Sequence, residues 1–273
     1  MVLEQIAFGA NVLAGVLAAY TDWKTGYIYD WITYPLIGIG IVISLLTGQW
    51  LGFVFGGVIY ALGMLAYKTG KIGGGDIKLL AGIALVQPVY AGMIFPFAVL
   101  LVGTLMACLV LSVYYAGGFL LSRTKIKWKT KRKISSLIMG IGIIAMIYYA
   151  LTNLLWPAET TFLLGISLLA GIIFYALEDE IKTHAFLKRI TLEQLEDDEV
   201  LAVEHLTPEE KEKWGKNIPN LVGNEDKLRM KQMNMHTIPV YRNLPKFAPF
   251  LLFGIAIVYM FPGWVLPLVP ALF

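Results

Sequence analysis

The sequence predicts an all-α polytopic membrane protein with about eight transmembrane helices (six to eight) and a small cytoplasmic α or α/β domain. Three observations predict it. Of 273 residues, 58% are hydrophobic and only 15% charged, with a mean hydropathy of +0.68, far from the balance of a soluble domain. Apolar runs recur near the ~20 residues that a helix needs to cross a bilayer, and the alternating ten-residue strands of a barrel are absent. The basic residues, finally, gather on one side of the spans so defined.

Taken in order, the apolar runs place spans at 3–21, 31–48, 50–67, 77–92, 94–121, 135–155, 160–177 and 248–272. The first lacks a basic leader region and carries Glu4, so it is expected to remain as a helix and not to be cleaved. The tract from Ile77 to Leu121 is divided only by Gln87-Pro88 and Pro96, and its spans are the least sharply bounded. Gly38, Gly40, Gly56, Gly57, Gly63, Gly140, Gly142, Gly165 and Gly171 offer small surfaces for close helix approach. Cys108, the single cysteine, can form no internal disulfide or CxxC site and is expected to pack.

With the N-terminus outside, the segments 22–30, 68–76, 122–134 and 178–247, together with Lys78, hold all 22 Lys and Arg. The long last segment carries little orientation information, but the short ones agree, so this face is expected to be cytoplasmic. The opposite face keeps only Glu4 and Glu159 as charges. The basic segment 123–133 reads as a topology anchor touching anionic membrane lipids. The expected organisation is a transmembrane catalytic domain over 1–177, a cytoplasmic polar domain over 178–247 and a final span over 248–273. Within the polar region, Thr207-Pro208-Glu209-Glu210 is a helix start, with Thr as cap, Pro at the first position and acids in the first turn. The acid run 196–199 reads as solvated surface, and His184, His205 and His236 are too dispersed for ligand spacing.

Only three carboxylates stand at the membrane edge outside the polar region: Asp22, Asp30 and Asp76. Charges there are costly and count as candidates for function. Two carboxyl groups held together in a partly desolvated site cannot both ionise easily, so one keeps a proton while the other acts as base on a water. That pairing can hydrolyse a peptide bond without a metal, a cofactor or a nucleophilic side chain. No GxSxG, HExxH, P-loop or CxxC offers a different chemistry. Asp76 follows Gly73-Gly74-Gly75, where Gly73 and Gly75 let backbone approach closely, although an Asp so placed also serves as a helix cap. Asp30 has a structural reason to exist, as the cap of the second span, which favours Asp22 as the partner of Asp76. Lys78 is a candidate for orienting a substrate or for snorkelling to headgroups.

The string GGGDIKLLAGIAL at 73–85 fits the GxGD motif and resembles the corresponding segment of the type IV prepilin peptidases. Residues 22–35, DWKTGYIYDWITYP, are similar to that family's first aspartate segment, and Pro245-Lys246-Phe247-Ala248-Pro249-Phe250-Leu251 to its late Pro-Phe-Leu element. The likeness covers 12–85 and, more loosely, 245–254. It implies a membrane aspartyl endopeptidase with Asp22 and Asp76 catalytic, cutting the short basic leader of class III signal peptide-bearing precursors (archaellins and pilin-like proteins) at the cytoplasmic face of the cell membrane. No cofactor and no nucleic acid partner is implied. The cysteine-rich insertion and N-methyltransferase activity of bacterial members have no counterpart here, and the layout is more like the archaeal preflagellin and prepilin peptidases. Two rivals stand beside this reading. A presenilin-like intramembrane protease is suggested by Tyr29-Asp30 and Pro270-Ala271-Leu272, and a proton- or cation-coupled transporter by the membrane aspartates alone.

Overall fold

The computed structural model of the protein describes residues 2–70, 72–122, 130–153, 158–196, 199–215 and 218–269. The chain opens with three long apolar helices, α1 (Val2–Thr25), α2 (Asp30–Thr47) and α3 (Trp50–Tyr67). A short helix, α4 (Gly74–Val86), follows, then a two-residue hairpin of β1 (Val89–Tyr90) and β2 (Met93–Ile94), and α5 (Phe95–Leu121). Next come α6 (Thr130–Thr152) and α7 (Ala158–Ala176). Among the described residues five helices are long and apolar enough to cross a membrane, or up to seven when two bent helix pairs are counted as spans. The protein is thus a helical polytopic membrane protein.

The segment expected as a span over 77–92 differs from that expectation. Helix α4 has 13 residues, about 20 Å of rise against a hydrocarbon core of ~30 Å. It ends at Gln87-Pro88, where proline has no N–H to continue the helix and disfavours helical backbone in the residue before it. From Ile77 to Val86 only Lys78 escapes burial, because α1, α2, α3 and α5 surround the helix. Its neighbours approach very closely: a Cβ on Gly40 would stand 2.6 Å from Leu85 Cβ, and one on Gly63 2.5 Å from Ile77 Cγ2. Gly38, Gly57, Gly140 and Gly142, by contrast, have no atom beyond their own helix backbone within 4 Å of a Cβ position among the described residues, and a Cβ on Gly171 would stand 3.7 Å from the half-buried Cys108 Sγ. Inside the apolar layer the end of α4 is furnished with polar partners. Tyr259 donates to Gln87 and accepts from Asn11 Nδ2 at 3.1 Å.

The polar region begins with α8 (Glu178–Ile181), set at 66° to α7 and continued by a π-turn over Lys182–Phe186. It then forms β3 (Leu187–Thr191), β4 (Glu199–Leu201), α9 (Pro208–Trp214), β5 (Leu221–Val222), α10 (Asn224–Gln232) and β6 (Thr237–Tyr241). The strands make one antiparallel sheet in the order β3-β6-β4-β5, with Ile190 opposite Ile238 and Leu201 opposite Val240. Its own core includes Trp214, Met230, Ile238 and Val240. Thr207 caps α9 through a capping box, accepting from the Glu210 N–H at 3.2 Å while Glu210 Oε2 accepts from the Thr207 N–H at 2.7 Å. An apolar seam of Ala116, Phe119, Ile181, Phe186 and Tyr241 fastens this unit to the end of α5. Of the basic segment 123–133, residues 123–129 lie outside the described residues, and Lys133 pairs with Glu180 at 3.7 Å.

Helix α11 (Ala248–Met260) packs between α1 and α5, and the chain then bends by 107° into the helical stretch Pro262–Leu268, which opens with α12 (Pro262–Val265). Exposed aromatic side chains mark both ends of the helical bundle. Tyr20, Trp23, Tyr29, Trp31 and Tyr34 ring the end nearest the sheet, and Trp50 and Trp264 stand at the other. Such belts settle at the headgroup level of a bilayer.

Candidate functional site

Asp22 lies in the last turn of α1 and is 6% exposed. Its Oδ2 accepts the Ala248 N–H at 3.0 Å, so the carboxylate sits on the N-terminus of α11, where unpaired amides and the helix dipole favour a negative charge. Lys246 adds a cation on the same side: its Nζ donates to the Trp23 carbonyl and lies 5.7 Å from the Trp23 ring centroid. Lys246→Met is therefore expected to loosen the end of α1 and to lower the melting temperature by about 2–4 °C, which a thermal-melting scan checks.

Asp76 occupies the third position of α4, whose cap position is Gly73. The glycines before it have separate tasks. A Cβ on Gly73 would stand 2.7 Å from Asp76 Oδ2, so its absence leaves space for the carboxylate to fold back over the turn. A Cβ on Gly75 would stand 2.7 Å from Ile28 Cβ and 3.0 Å from the Ile28 carbonyl, so only glycine lets α4 begin against the α1–α2 loop. Asp76 Oδ1 is buried and has no hydrogen-bond partner among the described residues. Asp22 is close enough to act on Asp76 electrostatically. The two carboxyl groups, 54 positions apart in the chain, thus share one end of the bundle, at the aromatic belt beside Trp23.

Asp30 and Lys78 are brought together, but on each other. The Lys78 ammonium donates to Asp30 Oδ1 at 2.6 Å and lies 5.1 Å from the Tyr34 ring centroid. The cap position of α2 falls on Tyr29, whose side chain makes no capping bond, so Asp30 ties α2 to α4 instead of capping α2 as the sequence suggested. With the Asp30 side chain 55% exposed, the pair is worth at most about 1 kcal/mol, and Asp30→Asn is expected to keep activity within about fivefold of wild type. Complete inactivity of a normally folded Asp30→Asn protein would move Asp30 into the site.

Two contacts carry no signal in the sequence: Ala248 as a partner of Asp22, and Tyr27 as a contact of the polar region. Tyr27 Oη donates to Glu196 Oε2 at 2.9 Å. Burial, then the bond and charge of Glu196, push the Tyr27 phenol up to about 12, so it remains a donor across the physiological range. Among the described residues no group of three or more His, Cys, Asp or Glu is placed to hold a metal ion.

Residues 10–111 match the type IV leader peptidase family. A curated protein named prepilin peptidase EppA, from Methanothermobacter thermautotrophicus, is 29% identical over 96 residues, covering 32% of this chain and 25% of its own length. The chain therefore spans about a quarter of the length of that relative. No solved structure matches the chain. Asp22, Asp76, the whole of α4 and α1 from residue 10 onward fall inside the stretch 10–111 that matches the type IV leader peptidase family.

Proposed function

We propose that this protein is a membrane aspartyl endopeptidase that removes a leader peptide from pilin-like precursors, archaellins included, with Asp22 and Asp76 as its catalytic pair. The observation that supports the reading is that both carboxyl groups stand at one end of the bundle, near enough for the charge of one to act on the other, inside the stretch that matches the peptidase family. One carboxylate takes a proton from a water as it attacks the scissile carbonyl, and the other carboxyl gives a proton to the departing amine. Asp22 is anchored through Oδ2 to the Ala248 amide, whereas Asp76 Oδ1 has no partner to surrender when a substrate arrives.

The level of the site supports cleavage at the membrane surface. Asp22 adjoins Trp23, an exposed belt residue, and not the middle of the bundle, which favours a peptidase acting beside the apolar helix of its substrate over an intramembrane protease or a midplane ion carrier. Pro270-Ala271-Leu272 lies outside the described residues and adds nothing to the presenilin-like reading. The face is read as cytoplasmic, with the N-terminus outside, because the short basic segments all fall on this side. Incubating the purified protein with a pilin-like precursor and mapping the products by mass spectrometry tests the reading: one cut just before the apolar segment is expected, and an intact precursor would contradict it.

A further inference from the structure

The sheet formed by β3, β4, β5 and β6 touches every segment that presents the aspartate pair. On the Asp22 side, Glu196 at the approach to β4 accepts from Tyr27, five positions beyond Asp22. On the Asp76 side, β5 lies against the α3–α4 turn: a Cβ on Gly70, six positions before Asp76, would stand 3.6 Å from Leu221 Cδ2 and 3.7 Å from Asn220 Cβ. Gly70 has φ +72°, a left-handed conformation that suits glycine and turns the chain under the sheet. The third connection is covalent. β6 ends at Tyr241, Arg242 pairs with Glu199 Oε1 at 2.5 Å, and six positions later Ala248 donates to Asp22.

We infer that the sheet is a positioning clamp, which holds the α1–α2 loop, the α3–α4 turn and the start of α11 in the one arrangement that brings the two carboxyl groups together. The sheet can do this because it is itself fixed to the end of α5 by the Phe119, Phe186 and Tyr241 seam. Among the described residues the sheet reaches both loops from outside the membrane helices, in addition to the contact of Gly75 with Ile28 and the Asp30–Lys78 pair nearer the bundle. Among the described residues Tyr27, Glu196 and Leu221 bond neither carboxyl group, so their loss acts on the geometry of the pair and not on substrate contact. The effect on turnover rests on the peptidase reading, whereas the effect on loop geometry does not.

The test uses full-length protein in nanodiscs with Cys108→Ser, spin-labelled at Lys24→Cys and Ile72→Cys, two exposed positions flanking Asp22 and Asp76. Tyr27→Phe and Glu196→Ala are each expected to broaden the label distance distribution and to lower kcat for precursor cleavage about fivefold, with KM within twofold of wild type. The double variant is expected to lose no more than either single, because both remove the same bond. Leu221→Ala, on the other contact, is expected to broaden the same distribution. Unchanged distributions in all three variants would overturn the clamp, as would broadening without loss of kcat where the wild type cleaves. If the wild-type protein cleaves no precursor, the peptidase reading fails while the label distances still decide the clamp.

Discussion

Asp76→Asn and Asp22→Asn are each expected to lower precursor cleavage by more than about a thousandfold while leaving the protein folded, because an amide of nearly the same shape can neither carry nor accept the transferred proton. The structure gives a reason to expect intact folding. An Asn at 22 retains an oxygen to accept the Ala248 N–H, a long-range hydrogen bond of the Asp22 side chain, so α11 stays docked on α1. At 76 the side chain has an unpartnered Oδ1, and the helix beneath it is held by Ile77 to Val86 inside a cage of four helices. Loss of activity should then appear without loss of thermal stability or of a monodisperse elution profile. Near wild-type cleavage by either variant would remove that residue from the pair.

The second large effect is expected from a methyl group. Gly75→Ala drives a Cβ to 2.7 Å from Ile28 Cβ and 3.0 Å from the Ile28 carbonyl, and backbone on that side cannot yield as a flexible side chain would. The start of α4 must move off the α1–α2 loop, carrying Asp76 away from Asp22. A misplacement of about 1 Å can cost on the order of 100-fold in rate, which is the loss expected here. Gly38→Ala, on a helix face with no atom within 4 Å, is the matched control and should cleave at the wild-type rate. Adding Ile28→Gly to Gly75→Ala removes the nearer obstruction and should restore part of the lost kcat. A fully active Gly75→Ala protein would mean that the close approach of α4 to Ile28 does not set the geometry of the pair.

Much of this arrangement is legible in the residues. Helical membrane architecture follows from run lengths, and the two aspartates stand out because so few charges occur at the membrane edge. What escapes the sequence is contact between distant segments. Nothing local in Ala248 shows that its amide meets Asp22, 226 positions earlier, and nothing in Asp30 shows that its partner is Lys78, 48 positions later. The shortness of α4 is hidden for a different reason. Hydropathy continues almost unbroken from Ile77 to Leu121, so only the helix-stopping Gln87-Pro88 hints that the chain turns early, inside the apolar layer. The glycines divide likewise: Gly40 and Gly63 face α4, while Gly57 and Gly142 face nothing, a distinction that depends on helix rotation and not on composition.

Whether the pair itself cuts is the central question. The purified wild-type protein in nanodiscs, mixed with a pilin-like precursor in the presence of a strong chelator, should release a single leader fragment by mass spectrometry, and the Asp22→Asn and Asp76→Asn proteins should release none. An intact precursor with the wild-type protein, cleavage that the chelator abolishes, or release that persists in either variant would contradict an acid-pair peptidase built on Asp22 and Asp76.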